Sequence, residues 1–192
     1  MKPLPCRFPL VDGKTLIVAR AGPTDAASLL THARCVARES NFLSAGPGER
    51  ALTAEAQAAF LRRLRASDTG LVLKGMLGGR LVAVLSLVRP RQPRQHHRAE
   101  MGLTVRAAHW GQGIGQHMAA LAIALARTQG VRKLNLRVRA DNRRALRLYH
   151  SLGFVREGVS PRALRIAGRF FAEVAMGLSL DPRPRRRPST GR

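Results

Sequence analysis

Three glycines at alternate positions, Gly111, Gly113 and Gly115, form the stretch of this sequence whose residue types and spacing best suit chemistry. An alternating apolar strand pattern ends just before them at Val105, and an Ala/Leu-rich helix pattern follows them to about Arg127. The first N–H groups of a helix have no intrahelical partner and lie at the positive end of its dipole. Glycines leave these groups open to a diphosphate. The order of strand, glycine turn and helix therefore predicts an anion site.

Two other glycine-loop chemistries fit this turn poorly. A P-loop needs Gly-Lys-Ser/Thr at the start of the helix, whereas Gly115 is followed by Gln116 and His117. The dinucleotide fingerprint Gly-x-Gly-x-x-Gly lacks its third glycine, which is Gln116 in one frame and Met118 in the other. For this motif alone, a turn that merely separates a strand from a helix stays the alternative.

The apolar periodicity along the chain predicts the elements that position this turn. One α/β domain is expected at 15–180, after an irregular segment at 1–14 and before a disordered basic tail at 181–192. Within the domain we expect helices at about 25–38, 54–66, 116–127 and 143–152, and strands at 15–20, 70–77, 81–89, 99–105, 133–139, 154–158 and 169–180.

Composition narrows the class of protein further. A chain of 192 residues can bury a core without disulfides or metal, and Cys6 and Cys35 lie in unrelated contexts, so no zinc or disulfide framework is predicted. The adjacent histidines at 96–97 are interpreted as part of a solvated loop rather than as metal ligands. No segment has the pattern of a signal peptide or is long enough to span a bilayer, so a cytoplasmic protein without a membrane partner is expected.

The net charge of +23 favours an anionic partner in principle. The basic residues are nevertheless spread along the chain, and aromatic residues make up only 4% of it, so a stacking surface for RNA is not predicted. Nucleic acid is therefore disfavoured as a partner, although the Pro/Arg-rich tail keeps that alternative open.

Two ordered motifs carry a resemblance to a known family. The turn from Trp110 to Gly115 reads Trp-Gly-Gln-Gly-Ile-Gly, and 142–154 reads Asn-x-x-Ala-x-x-Leu-Tyr-x-x-x-Gly-Phe. Together they resemble the two signatures of the GNAT N-acetyltransferase superfamily, the first of which is written [Gln/Arg]-x-x-Gly-x-[Gly/Ala]. Trp110 departs from that signature at its first position. Residues 157–158 and 168–176 are similar to a bacterial subgroup that acetylates small amines, free amino acids or protein N-termini.

The resemblance implies a single GNAT-like α/β domain with a mixed, mostly antiparallel central sheet of six to seven strands flanked by about four helices. It implies acetyl transfer from acetyl-CoA, the acyl-donor substrate, to a primary amine by direct attack in a ternary complex, without a metal. The acceptor is a small molecule, an amino acid or a protein N-terminus, and a homodimer stays open. The alternative is a catalytically weak CoA-binding domain that acts as a basic ribosome- or RNA-associated module.

Candidate site residues follow from the chemistry of thioester aminolysis, which needs a donor cradle, oxyanion donors, a base and an acid. Tyr149 is the candidate acid, since a phenol of pKa about 10 can protonate a thiolate whose acid has a pKa of about 8.5. Its alternative role is that of a core aromatic. Glu100 is the first candidate base, Glu39 and Glu173 are weaker candidates, and the amine could also enter already neutral. The glycine turn and the resemblance together imply that acetyl-CoA is bound by Leu103, Thr104, Val105, Gln112, Gly113, Ile114, Gly115, Gln116, Asn142 and Tyr149.

The acceptor is expected to be selected by three loops, at 40–53, 90–98 and 160–168. Their arginines would repel a polyamine and attract an acceptor that bears a carboxylate. The sequence does not choose among the individual amines.

Overall fold

The structure is a computed structural model that describes residues 4–49, 52–67 and 69–181. In this part of the chain, four helices pack on an eight-stranded sheet of order β1-β2-β3-β4-β5-β6-β8-β7. The strands are β1 (Cys6–Pro9), β2 (Thr15–Arg20), β3 (Gly70–Leu77), β4 (Arg80–Val88), β5 (Arg98–Val105), β6 (Lys133–Arg139), β7 (Val155–Ile166) and β8 (Arg169–Ser179). The helices are α1 (Ala26–Glu39), α2 (Ala54–Ala66), α3 (Ile114–Thr128) and α4 (Arg143–Ser151).

Local sequence signals explain where several of these elements begin and end. The side chain of Thr53 accepts a hydrogen bond from the N–H of Ala56 at 3.2 Å, which caps α2. Gly78 and Gly79 both have positive φ, which suits the tight turn that joins β3 to β4.

The sheet opens between its two central strands. All neighbouring strands are antiparallel except β5 and β6, whose parallel pairing covers only 98–100 with 133–135. On its other side β5 stays paired with β4 as far as Val105, opposite Ala83. The backbone of β5 at 101–105 therefore has a neighbour on one edge only, and the two strands diverge there.

The helices cover both faces of the sheet. The front face packs against α1 and α2 through Leu29, Leu61, Leu64 and Val72. The back face packs against α3 and α4, with Met118, Leu134 and Phe154 fully buried. No helix in the described ranges is long and apolar enough to span a membrane.

The predicted class, α/β with a mixed, mostly antiparallel sheet and four helices, is confirmed, with eight strands in place of six to seven. The additional strand is β1, within a segment expected to be irregular because of its prolines. Pairing with β2 and burial of Cys6 order it, and the ring of Phe8 stacks on that of His117 at 4.9 Å. Pairing with the following strand therefore overrides the local proline signal.

The segment 160–168, expected to be an acceptor loop, is mostly strand in the structure. The strand expected at 154–158 continues as β7 to Ile166, with register shifts between Arg156 and Gly158 and between Ser160 and Leu164. Pro161 is tolerated because β7 is an edge strand, where a missing N–H need not break the ladder. Of the predicted tail, only Asp181 is described.

Candidate active site

The opening between β5 and β6 leads into a cleft of about 1800 Å³. The cleft runs from the front face, under α1 and the segment that follows it, to the start of α3 and α4. Every predicted acetyl-CoA-binding residue except Gln112 lines this cleft. They are Leu103, Thr104, Val105, Gly113, Ile114, Gly115, Gln116, Asn142 and Tyr149.

The glycine turn presents a row of free backbone donors. Gly111 and Gly113 have φ of +82° and +79°, a conformation that side chains disfavour. The first helical hydrogen bond of α3 runs from the N–H of His117 to the carbonyl of Gly113 at 3.1 Å. Within the described residues, none of the N–H groups at 111–116 makes a backbone hydrogen bond. Six donors are thus available to an anion at the positive end of α3.

Gly115 has a different reason to be glycine. A Cβ at this position would lie 3.2 Å from Cδ2 of Leu148, which is on α4. The residue therefore lets the starts of α3 and α4 approach closely, which places the two helix N-termini on the same cleft.

Trp110 holds the place that the family signature gives to Gln or Arg. Its Nε1 donates to the carbonyl of Val105 at 2.8 Å, which ties the turn to the end of β5. The guanidinium of Arg144 lies over the indole, 4.2 Å from its ring centroid. A positive group is therefore present beside the turn although the signature's own arginine is absent.

Tyr149 projects from α4 into the cleft and is otherwise enclosed. It is 6% exposed and packs edge-to-face on Phe154, with ring centroids 5.6 Å apart. Burial raises the pKa of Tyr149 to about 12. Among the described residues its hydroxyl has no hydrogen-bond partner. The side chain is thus a neutral phenol whose donor is free to meet a ligand.

Asn142 combines a structural role with a position in the cleft. Its Oδ1 accepts from the N–H of Ala145 at 3.1 Å, which caps α4. In the part of the chain that the structure describes, its Nδ2 donates to no residue. This donor therefore lies free at the start of α4.

The three candidate bases occupy different environments. Glu100 is exposed, accepts from Nδ2 of Asn135 at 3.3 Å and is not among the residues that line the cleft. Glu39 accepts from Nε of Arg106 at 2.7 Å and from the N–H of Ala107 at 2.8 Å. Only Glu173 lines the cleft, and its side chain is 14% exposed.

His32 is a buried polar residue that sequence analysis did not single out. It lies on α1, is 3% exposed, and its Nε2 is 2.9 Å from Oγ1 of Thr104 on β5. Burial, followed by the charge of Arg106, lowers the pKa of His32 to about 4. Its spacing from Leu29 and Val36 on one helical face was the sequence signal that could have found it.

Arg139 is the second such residue and joins separate parts of the cleft wall. It is 7% exposed, and its guanidinium donates to both carboxylate oxygens of Asp141, at 2.7 and 3.0 Å, and to the carbonyl of Asn41 at 2.5 Å. The rings of Phe42 and Phe171 lie 4.4 and 4.2 Å from its Cζ. Because these rings come from distant segments, the arrangement could not be predicted from spacing.

Across 4–49, 52–67 and 69–181, no three His, Cys, Asp or Glu side chains lie close enough together to hold a metal ion.

Solved structures share this architecture. An acetyltransferase of the GNAT family from Streptococcus pneumoniae is 28% identical with a TM-score of 0.83, over 86% of this chain and 99% of that one. YncA from Salmonella typhimurium, a putative acetyltransferase with its cofactor acetyl-CoA, is 20% identical with a TM-score of 0.78, over 88% and 96%. A ribosomal-protein-alanine N-acetyltransferase from Brucella melitensis is 22% identical with a TM-score of 0.75, over 85% and 99%. The fold is therefore that of an N-acetyltransferase.

The sequence matches the model of the acetyltransferase (GNAT) family over residues 37–154. The chain belongs to this family, as the two motifs indicated. No curated protein sequence matches it significantly.

Proposed function

We propose that the protein transfers an acetyl group from acetyl-CoA to a primary amine by direct attack in a ternary complex. One observation carries the proposal: the divergence of β5 from β6 opens into the cleft that also holds the glycine turn and Tyr149. A single elongated donor can thus contact the turn with its diphosphate and place its thioester beside the phenol.

Backbone groups supply most of the donor site. The free N–H groups at 111–116 bind the diphosphate, and Arg143, Arg144 and Arg147 line the cleft beside it. The open edge of β5 at 101–105 offers strand-like hydrogen bonds to the two amides of the pantetheine arm. Nδ2 of Asn142 adds one further donor.

The reaction forms a C–N bond at the thioester carbonyl and breaks the C–S bond. The acetyl oxygen becomes an oxyanion in between, and the open β5 backbone can donate to it. The thiolate then takes a proton from the hydroxyl of Tyr149. Burial raises the pKa of Tyr149, but the same environment also disfavours the thiolate, so the two pKa values move together and the proton transfer stays modestly uphill.

The amine must lose a proton before or during the attack. Glu173 suits this role because it lines the cleft, and within the described chain no hydrogen bond occupies its carboxylate. Glu100, the first choice from the sequence, is the alternative base and would act through solvent from the exposed start of β5.

The alternative of a basic RNA-associated module without turnover depends on the tail, and 182–192 lie outside the described residues. No contact among the described residues favours it over acetyl transfer.

The test is release of free thiol from acetyl-CoA across amino acids, amino-acid amides, peptides with free N-termini, polyamines and amino sugars. It is run beside Tyr149→Phe, which removes only the hydroxyl. We expect turnover of one acceptor class and a fall in kcat of about a hundredfold in the variant. Melting temperatures with and without acetyl-CoA provide the binding control. Stabilisation by acetyl-CoA without turnover of any acceptor, together with salt-dependent RNA binding, would favour the alternative.

A further inference from the structure

Arg137 on β6 and Glu173 on β8 form a pair of opposite charges on the front face of the sheet, and both line the cleft. Arg139 is the backbone partner of Glu173 in the register of the two strands, so both side chains are on the same face of the sheet. Arg137, two residues away on β6, shares that face. Nη1 of Arg137 lies 4.0 Å from Oε2 of Glu173. This separation is too long for a hydrogen bond.

The carboxylate of this pair is free for a ligand in a way that the other carboxylates near the cleft are not. Asp141 receives two hydrogen bonds from Arg139, and Glu39 receives bonds from Arg106 and a backbone N–H. In the described ranges neither side chain of the Arg137–Glu173 pair makes a hydrogen bond. The Arg137 side chain is 68% exposed and that of Glu173 is 14% exposed, so the cation reaches the open cleft and the anion lies in its wall.

We propose that this pair recognises the acceptor as a zwitterion, with its ammonium group on Glu173 and an adjacent carboxylate on Arg137. The acceptor class is then a free α-amino acid or a close analogue, in which the two charges are separated by one carbon atom. The inference rests on the proposed function, because it selects among amines for the same acetyl transfer.

The chemistry of the pair discriminates among the acceptors that the sequence left open. A protein N-terminus has the ammonium group, but its carboxyl carbon is in a peptide bond, which leaves Arg137 unpaired. A polyamine brings only positive charge. Eight arginines and two carboxylates are among the described residues that line the cleft, so its field opposes a polycation.

The experiment compares amino acids with their carboxamides in wild type, Arg137→Gln and Arg62→Gln, with kcat/KM measured by thiol release. Arg62 is an exposed arginine of α2 that does not line the cleft, so its variant controls for lost surface charge. For each protein, kcat/KM for the amino acid is divided by kcat/KM for its carboxamide. The wild-type ratio is then divided by the ratio of each variant. This double ratio cancels the different basicities of the two amines.

We expect Arg137→Gln to lower kcat/KM for the amino acid about 10- to 100-fold and to change it little for the carboxamide. Arg62→Gln should leave both values unchanged, Arg137→Lys should restore part of the loss, and the KM for acetyl-CoA should not move. A double ratio near one, or peptides turned over as well as amino acids, overturns zwitterion recognition and leaves acetyl transfer standing. No thiol release with any amine overturns the proposed function and this inference together.

Discussion

The guanidinium of Arg144 lies on the indole of Trp110, 4.2 Å from the ring centroid, where α4 meets the turn that precedes α3. Both residues line the cleft, and the indole is also hydrogen-bonded to the end of β5. The contact therefore joins the two motifs of the family at the place where the diphosphate is proposed to bind.

Trp110 is the only tryptophan of the chain, so its fluorescence should report donor binding. We expect a saturable change in emission on titration with CoA. Arg144→Gln should weaken CoA binding about three- to tenfold, because an exposed charged contact contributes about 1 kcal/mol. Arg62→Gln is the matched control. If CoA raises the melting temperature but leaves the Trp110 emission unchanged, the diphosphate binds away from Trp110.

The raised pKa of Tyr149 predicts the alkaline limb of the rate profile. Because burial raises this pKa to about 12, the phenol keeps its proton at every pH below about 10. With a saturating acceptor, kcat should therefore show no alkaline loss up to about pH 10. The measurement is kcat against pH by thiol release, with melting temperature as the control for unfolding. A decline in kcat centred well below pH 10, with the fold intact, would argue against Tyr149 as the acid.

The choice of base is tested by two isosteric substitutions. Glu173→Gln should lower kcat/KM about a hundredfold at neutral pH. The difference in kcat/KM from wild type should become smaller at high pH, where the amine is already neutral. Glu100→Gln should have little effect, because its carboxylate is exposed and lies outside the cleft lining. The opposite ranking of the two variants would assign the proton to Glu100.

Arg139 is expected to hold the acceptor side of the cleft in shape. Arg139→Lys cannot reproduce the bidentate contact with Asp141 or the stacking of a planar guanidinium on Phe42 and Phe171. We expect a loss of about 1–3 kcal/mol in the free energy of unfolding and a severalfold rise in KM for the acceptor, with KM for acetyl-CoA nearly constant. Urea denaturation and steady-state kinetics measure these effects, with Arg62→Lys as the control. Equal rises in both KM values would indicate a general loss of structure instead.

His32 makes stability depend on pH. Its pKa is about 4 in the folded protein and 6.5 in an ordinary setting, so the unfolded chain binds the proton more tightly. The contribution of neutral His32 to the free energy of unfolding is complete above pH 6.5 and is lost as the pH falls toward 4. From pH 7 to pH 5 the loss is about 2 kcal/mol. In urea denaturation, His32→Gln should be less stable at pH 7 but should lack this part of the pH dependence. An unchanged pH dependence in the variant would contradict the assignment.

Local patterns predicted most of the fold and the elements that surround the glycine turn. The glycine turn, the Thr53 and Asn142 caps and the periodicity of α3 and β6 all depend on residues within a few positions of one another. Such interactions act before any tertiary contact forms, so the sequence shows them directly. The strand β1 and the continuation of β7 past Pro161 escaped prediction because each is ordered by pairing with the next strand of the chain, which the local proline pattern does not show.

By itself the sequence determined the family, the order of strand, turn and helix, and the placement of Asn142 and Tyr149 on α4. Only the tertiary structure decided which charges meet in the cleft. Glu100 and Glu173 are both strand carboxylates, and nothing in their local sequence says that only Glu173 lines the cleft. Strand register and sheet order bring Arg137 beside Glu173. They also place the guanidinium of Arg139 against the rings of Phe42 and Phe171. These contacts join residues far apart in the chain, and their geometry exists only once the sheet has formed.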